Sequence, residues 1–139
     1  MGVYSDVISI QTRGEVDIID LTSEVQHIVT KSKIKDGIAC IFVSGSTGAV
    51  TTIEYEPGLQ KDLPEALERI APKKCSYAHH ETWHDDNGHS HIRASILGPS
   101  LTIPIKDGGL MHGTWQQLVF VELDTRPRNR TLMVQIIGD

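Results

Sequence analysis

Apolar and polar positions recur along this chain with two periods, one of strands and one of helices. Val3 to Ile10 mixes β-branched and polar residues as a strand does, Gly14 permits a turn, and Val16 to Ile19 reads as a second strand. An opening hairpin is therefore expected. Asp20 is placed to cap a helix, and Leu21, Val25, Ile28 and Val29 follow at helical spacing, giving about three turns that end near Lys33 with His27 on the polar face.

The unbroken apolar run Ile38 to Val43 is short for a helix and suits a central strand covered on both faces. Ala49 to Tyr55 reads as a neighbouring strand, with Glu54 near its end. Pro57 and Gly58 mark a turn, after which Leu59, Leu63, Leu67 and Ile70 share one helix face. Pro64 is expected to kink that helix or restart it, with Asp62 or Leu63 as the cap, and Pro72 closes it. His91 to Leu97 reads as a short helix. Leu101, Ile103 and Ile105 alternate with Thr102 and Pro104, Leu118 to Leu123 is largely apolar, and Thr131 to Ile137 is rich in strand formers, so three strands close the chain. Pro104 pushes the first of these toward a sheet edge.

These elements imply one α+β domain over residues 1–139, a mixed or mostly antiparallel sandwich with two main helices. The net charge of -5 argues against non-specific nucleic-acid binding, which needs a basic face. No apolar stretch is long enough for a membrane span, and Met1 to Asp6 lacks the features of a signal peptide, so a cytoplasmic protein is expected. Cys40 sits in the apolar run and reads as core; Cys75 follows Lys73 and Lys74, a setting that favours the thiolate, although an unremarkable free cysteine is the simpler reading.

Histidine placement is the strongest chemical signal. Five of the seven histidines, His79, His80, His84, His89 and His91, fall between Tyr77 and His91, with Glu81, Asp85 and Asp86 as oxygen donors among them. Imidazoles with a carboxylate suit zinc, manganese, iron or nickel, and three protein ligands leave a position open for water or substrate. His80 and His84 are one helical turn apart, but the flanking Asn87-Gly88 favours a loop. The competing reading is a set of solvated histidines and donors to backbone carbonyls.

Two further segments stand out. Gly108 to Gln116 holds three glycines next to Thr114, Trp115 and Gln116, and by itself reads as a hairpin loop, with Trp115 able to cap the core. Arg126, Arg128 and Arg130 alternate, so in an extended chain they point one way, as an anion site requires; Glu122 and Asp124 are alternative partners for them in salt bridges. Ser44 to Gly48 is a small polar loop without the lysine of a phosphate-binding loop.

Several of these pieces together resemble the YjbQ-like family, small proteins linked to a secondary thiamine-phosphate synthase activity. The resemblance rests on Gly48-Ala49-Val50-Thr51 with Glu54, Tyr77 with His79, Asp86-Asn87-Gly88 with His91, Ser95, Gly98 to Leu101, Gly113-Thr114-Trp115-Gln116, and Glu122 and Asp124 with Arg126, Pro127 and Arg128. It covers nearly the whole chain. It implies a homotrimer whose pockets lie at or near subunit boundaries, built from the histidine loop and the Gly-Thr-Trp-Gln loop. His79 and His91 match the family's histidines, whereas His80, His84 and His89 are additional. Where relatives carry a histidine followed by threonines this chain has Gly45-Ser46-Thr47, so one ligand or base is missing unless His80 or His84 replaces it.

The functional expectation is a metal-assisted enzyme acting on a phosphorylated small molecule, with weak thiamine-phosphate synthesis as the activity the resemblance suggests. There a diphosphate leaves a pyrimidine methylene as a thiazole nitrogen attacks. His79, His80, His84 and His91 are the candidate ligands of a divalent metal, zinc first and magnesium or manganese as alternatives, while Thr114, Arg126, Arg128 and Arg130 hold the ligand's oxygens. Glu54, Glu81, Asn87, Trp115 and Gln116 are the candidate catalytic residues, either glutamate serving as base or metal ligand. Magnesium chemistry with oxygen ligands fits a histidine cluster poorly, which leaves a metal-dependent hydrolase or lyase as a close relative of this reading. The alternative of another class is a non-catalytic trimeric protein that binds metal or a small ligand; a third is a purely structural role at subunit contacts.

Overall fold

Residue-by-residue alternation of buried and exposed positions along β8 (Asn129–Gly138) organises the larger of two sheets. In the computed structural model, which describes residues 1–139, β8 lies antiparallel between β1 (Gly2–Gln11) and β3 (Gly37–Val43), and β5 (Ser100–Lys106) and the two-residue β6 (Gly109–Leu110) complete the order β1-β8-β3-β5-β6. The smaller sheet has the order β2-β7-β4, from β2 (Asp17–Asp20), β7 (Gln117–Glu122) and β4 (Gly48–Ile53). Every strand pair is antiparallel. The helices are α1 (Thr22–Ser32) and α2 (Pro57–Ile70), the two main ones expected, α3 (Ala78–Trp83), which was not expected, and α4 (Gly88–Leu97), which starts three residues before the short helix expected at His91. None is long and apolar enough to cross a membrane.

The opening hairpin does not form. β1 pairs with β8 along its whole length and β2 pairs with β7, so the first two strands belong to different sheets. The chain crosses between sheets at Thr12, whose backbone N–H donates to Arg128 O (2.8 Å) and whose hydroxyl donates to Glu122 Oε1 (2.8 Å). A ten-residue ladder to β8 satisfies far more backbone groups than the four-residue β2 could.

Two cores result. One fills the space between the sheets, where Val25, Ile28 and Val29 of α1 meet Ile41 of β3, Phe120 of β7 and Leu132 of β8. The other lies on the far side of the smaller sheet, where Ala49 and Val121 meet Leu67 of α2 and Ala94 of α4. Fully burying an aliphatic side chain of this kind stabilises by about 1.5–3 kcal/mol. β3 is central as expected but is covered on one face only: Ala39, Ile41 and Val43 are buried, while Ile38 and Phe42 remain exposed. Cys40 shares that outer face and is half-buried, so it is not core.

Capping chemistry accounts for other departures. Leu21, not Asp20, is the first flanking residue of α1, although Asp20 Oδ1 accepts from the Thr22 backbone N–H (2.9 Å) and hydroxyl (2.7 Å). Pro57 and Gly58 form the first turn of α2 rather than a preceding loop, because the Glu56 carboxylate accepts from the N–H groups of Gly58 (2.8 Å) and Leu59 (2.5 Å). The helix runs through Pro64 without restarting. Pro104 lies on β5, whose outer side is paired only by the short β6, consistent with an edge position.

Candidate functional site

The histidine segment folds as two helices joined by a tight connection. Its His80–Trp83 part, expected as a loop, is helical; His84 closes α3 in the left-handed conformation, its N–H donating to His80 O (2.7 Å), and Asp86 also has positive φ. Gly88 opens α4 against Tyr77, where a Cβ would come within 2.6 Å of the tyrosine Cβ, so only glycine lets the helices close.

This connection brings His79 and His91 together, with ring centroids 4.4 Å apart. His79 Nε2 lies 3.3 Å from Asp85 Oδ1, and the Asn87 amide N–H group satisfies both Asp85 Oδ1 (2.8 Å) and His79 Nε2 (3.1 Å). Burial holds the His91 imidazole below the usual histidine pKa of 6.5, and neighbouring His79 lowers it further against the pull of Asp85 and Asp124. A neutral imidazole with a free lone pair is the form that binds metal or takes a proton.

The opposite wall comes from the loop after β3 and the connection from β7 to β8. With the histidine segment they enclose a cavity of about 340 Å³ lined by Asp85, Asn87 and His91 on one side and by Gly45, Thr47, Asp124 and the three arginines on the other, without one apolar residue. The arginines are not equivalent. Arg130 is 5% exposed and pairs with fully buried Glu122, Nε to Oε1 at 2.8 Å and Nη2 to Oε2 at 2.5 Å. Arg128 pairs with Asp124. Burial pushes the Asp124 carboxyl up, but the Thr125 N–H, Arg128 and the Thr47 hydroxyl outweigh it and hold it below its usual range. Of the two readings left open for these arginines, salt bridges hold for two: Glu122 pairs with Arg130 and Asp124 with Arg128, while Arg126 is exposed without an ion pair.

The remaining histidines go elsewhere. Successive helical residues are rotated by about 100°, so His80 leaves the side of α3 that carries His79. It pairs with Asp86 (3.0 Å) and meets His84 edge to face, centroids 5.5 Å apart. His80 and Glu81 line a second cavity of about 340 Å³ with Lys73, Lys74 and the free, exposed Cys75. Neither His80 nor His84 takes the place of a ligand missing at Gly45, because neither reaches that cavity. His89 is fully buried and bonded to Glu15 Oε2 (2.8 Å), beside Arg93, which donates to Ala71 O (3.0 Å) and Glu68 (2.7 Å). Burial raises the Glu15 carboxyl, and its bonds to Lys73 and His89 bring it below the usual value. His89 therefore clamps α4 to the β1–β2 connection.

Glu54, Thr114, Trp115 and Gln116 sit at the other end of the smaller sheet. Register pairs Gly48 with Glu122 beside the histidine cavity and Ile53 with Gln117 at the far end, about 17 Å away at ~3.4 Å per residue. Trp115 is 70% exposed and caps no core, while Gln116 Oε1 accepts from the Gly113 N–H (2.8 Å). Within one chain the histidine segment and the Gly-Thr-Trp-Gln loop do not meet.

The cavity offers one imidazole, two carboxylates and one unpaired arginine in a wholly polar enclosure, with His79 packed behind His91, a setting for a small charged ligand. No three His, Cys, Asp or Glu side chains converge closely enough to form a metal site outright. Asp85 is the one of the three expected oxygen donors that lines this site, Asp124 enters it as an arginine partner, and Gly45 and Thr47 line it although their loop offered only a weak signal.

Comparison with known proteins gives a consistent result. The family model described as "UPF0047 protein YjbQ-like" matches residues 6–139. A UPF0047 protein of Methanothermobacter thermautotrophicus is 39% identical over 99% of this chain and 94% of its own. A YjbQ-type protein of unknown function from Sulfolobus solfataricus has a solved structure that superimposes with a TM-score of 0.94 at 38% identity, covering 99% of both chains. An uncharacterised protein of the same family from Clostridium acetobutylicum matches with a TM-score of 0.86 at 34% identity, over 95% of this chain and 99% of that one.

Proposed function

The chain belongs to the UPF0047 family of YjbQ-like proteins, and we propose that it is a metal-assisted enzyme acting on a phosphorylated small molecule. One observation carries this reading: Asp85 and His91, with His79 packed behind them against the His91 ring and 3.3 Å from Asp85, stand across a single polar cavity from the arginine wall. The imidazoles and the carboxylate are donors that zinc accepts readily, and manganese or magnesium less well. Asp85 has to turn from His79 to complete the set, and it lies on the connection whose backbone is left-handed at His84 and Asp86. A metal bound there supplies Lewis-acid activation of a phosphoryl oxygen or a bound water. Arg126 contributes positive charge, Asn87 orients the His79–Asp85 pair, and neutral His91 either ligates or accepts a proton. Thiamine-phosphate synthesis is the first activity to screen.

The proposal includes a homotrimer. Two apolar rows run across the outer face of the larger sheet, Val3–Ile137–Ile38 and Val7–Met133–Phe42, paired strand to strand and all exposed in the single chain. The Trp115 loop and the histidine cavity lie too far apart to meet within one subunit, so the reading requires that they meet between subunits of the trimer. Glu54, Trp115 and Gln116 take part in catalysis only in that arrangement.

The test is the metal content of untagged protein after incubation with zinc, manganese and nickel. About one transition metal per chain, lost in both His79→Ala and His91→Ala, supports the site and directs a screen of phosphorylated substrates. Protein that stays metal-free overturns it. Metal retained without turnover favours the trimeric binding protein, a reading that the occupied state of Arg128 and Arg130 also supports.

A further inference from the structure

We infer that Arg130 presents its Nη1 group to a phosphate oxyanion seated beside Gly45, which makes Gly45 a specificity-determining position. This deepens the reading above and rests on it for the identity of the pocket.

A guanidinium has five N–H donors in a rigid plane. In Arg130, Nε donates to Glu122 Oε1 and Nη2 to Glu122 Oε2, to Thr47 Oγ1 (2.9 Å) and to Thr47 O (3.2 Å). Nη1 has no protein partner, although the side chain is 95% buried. The plane cannot swing away, because one edge is fixed by Glu122 and Thr47 and Cζ lies 5.7 Å from the Phe120 ring centroid. Leaving two charged donors dry and unused is costly, so Nη1 faces the cavity that Arg130 lines.

Gly45 holds that opening. A Cβ at this position would lie 2.9 Å from Nη1, closer than a methyl group tolerates, and the anchored guanidinium cannot retreat. The absence of a side chain at residue 45 thus leaves a seat the size of an oxyanion, with Ser46 on the same loop and Arg126 adding the unpaired charge. A phosphate oxygen can accept from Nη1 in a charge-assisted bond while Arg126 supplies a second cation. Since no apolar residue lines the cavity, the part of the ligand seated there beside the phosphate is polar.

The experiment titrates inorganic phosphate into zinc-loaded wild type and Gly45→Ala, following heat and the Arg130 side-chain ¹⁵N resonances. Wild type is expected to bind phosphate and shift the Arg130 Nη1 signal. Gly45→Ala is expected to bind about tenfold more weakly or worse, a loss of about 1.4 kcal/mol, while retaining zinc at a temperature where both proteins are folded. Phosphate binding that leaves the Arg130 signal unmoved overturns the seat whether or not Gly45→Ala folds. So does equal binding by Gly45→Ala, or wild type that takes zinc but no phosphate. The metal reading fails separately, when zinc binding is absent or indifferent to His79→Ala and His91→Ala.

Discussion

The imidazoles of His79 and His91 meet at 4.4 Å between centroids with their planes inclined by 51°, one ring carried by α3 and the other by α4. Two titratable rings this close cannot both hold a proton cheaply. The pair is therefore a sensitive reporter of the cavity.

In metal-free protein, His91 is expected to titrate below 6.5, because burial and then His79 depress its folded pKa. A folded pKa below the unfolded one means that the unfolded chain binds the proton first. The stability associated with neutral His91 is complete above pH 6.5 and is lost as pH falls from 6.5 through the lower folded value. Imidazole NMR titration checks the direction, and His79→Gln is expected to move the His91 midpoint upward. A midpoint at or above 6.5 in the wild type contradicts this account.

The Glu122–Arg130 pair gives a prediction about folding. Both side chains are buried and doubly bonded, so Glu122→Gln leaves a buried guanidinium under-compensated and is expected to cost about 3–5 kcal/mol. Chemical denaturation measures it. A loss under 1 kcal/mol, at the level of an exposed ion pair, would show that the pair is open to water.

A contrast separates the structural histidine from the exposed ones. His89→Ala removes the partner of Glu15 and opens space beneath α4, and is expected to lower stability by about 2–4 kcal/mol. His84→Ala, at an exposed position, is expected to stay within about 0.5 kcal/mol and to leave zinc content unchanged. Loss of metal in His84→Ala would move the site onto the other face of α3.

The outer face of the larger sheet sets the fourth expectation. Phe42 and Met133 are cross-strand neighbours, 42% and 43% exposed in the single chain. Phe42→Glu places a charge in the middle of that row and is expected to convert a trimer to monomers, read as molar mass by light scattering. Unchanged mass would remove this face from the assembly.

Much of this fold was legible because its signals are local. The helix carrying Val25, Ile28 and Val29, the central strand Ile38 to Val43 and the alternation of Leu101, Ile103 and Ile105 announce themselves within a few residues. Strand partners were not legible: nothing near Val3 to Ile10 says that its ladder is completed by the last ten residues, a choice made by long-range burial. The two-sided cover expected for β3 failed for a related reason, since Ile38 and Phe42 are apolar without being buried in one subunit. At the site, the cluster was visible but its division was not. His79 and His80 look equivalent in sequence and diverge by helical rotation, and His89 looks like a ligand until Glu15, far away in the chain, is found beside it.

The crossing at Thr12 ties these ends of the molecule together. Its hydroxyl serves Glu122 and accepts from the Arg128 N–H (3.0 Å), so a residue just past the first strand fastens the strand ends from which the arginine wall rises. Peeling β1 from β8 at this end would loosen the seat of Arg130 before it disturbed the core. The N-terminal strand thus works as a latch: amide exchange at Ile10 to Thr12 reports the integrity of the cavity more directly than exchange in the histidine helices that face it.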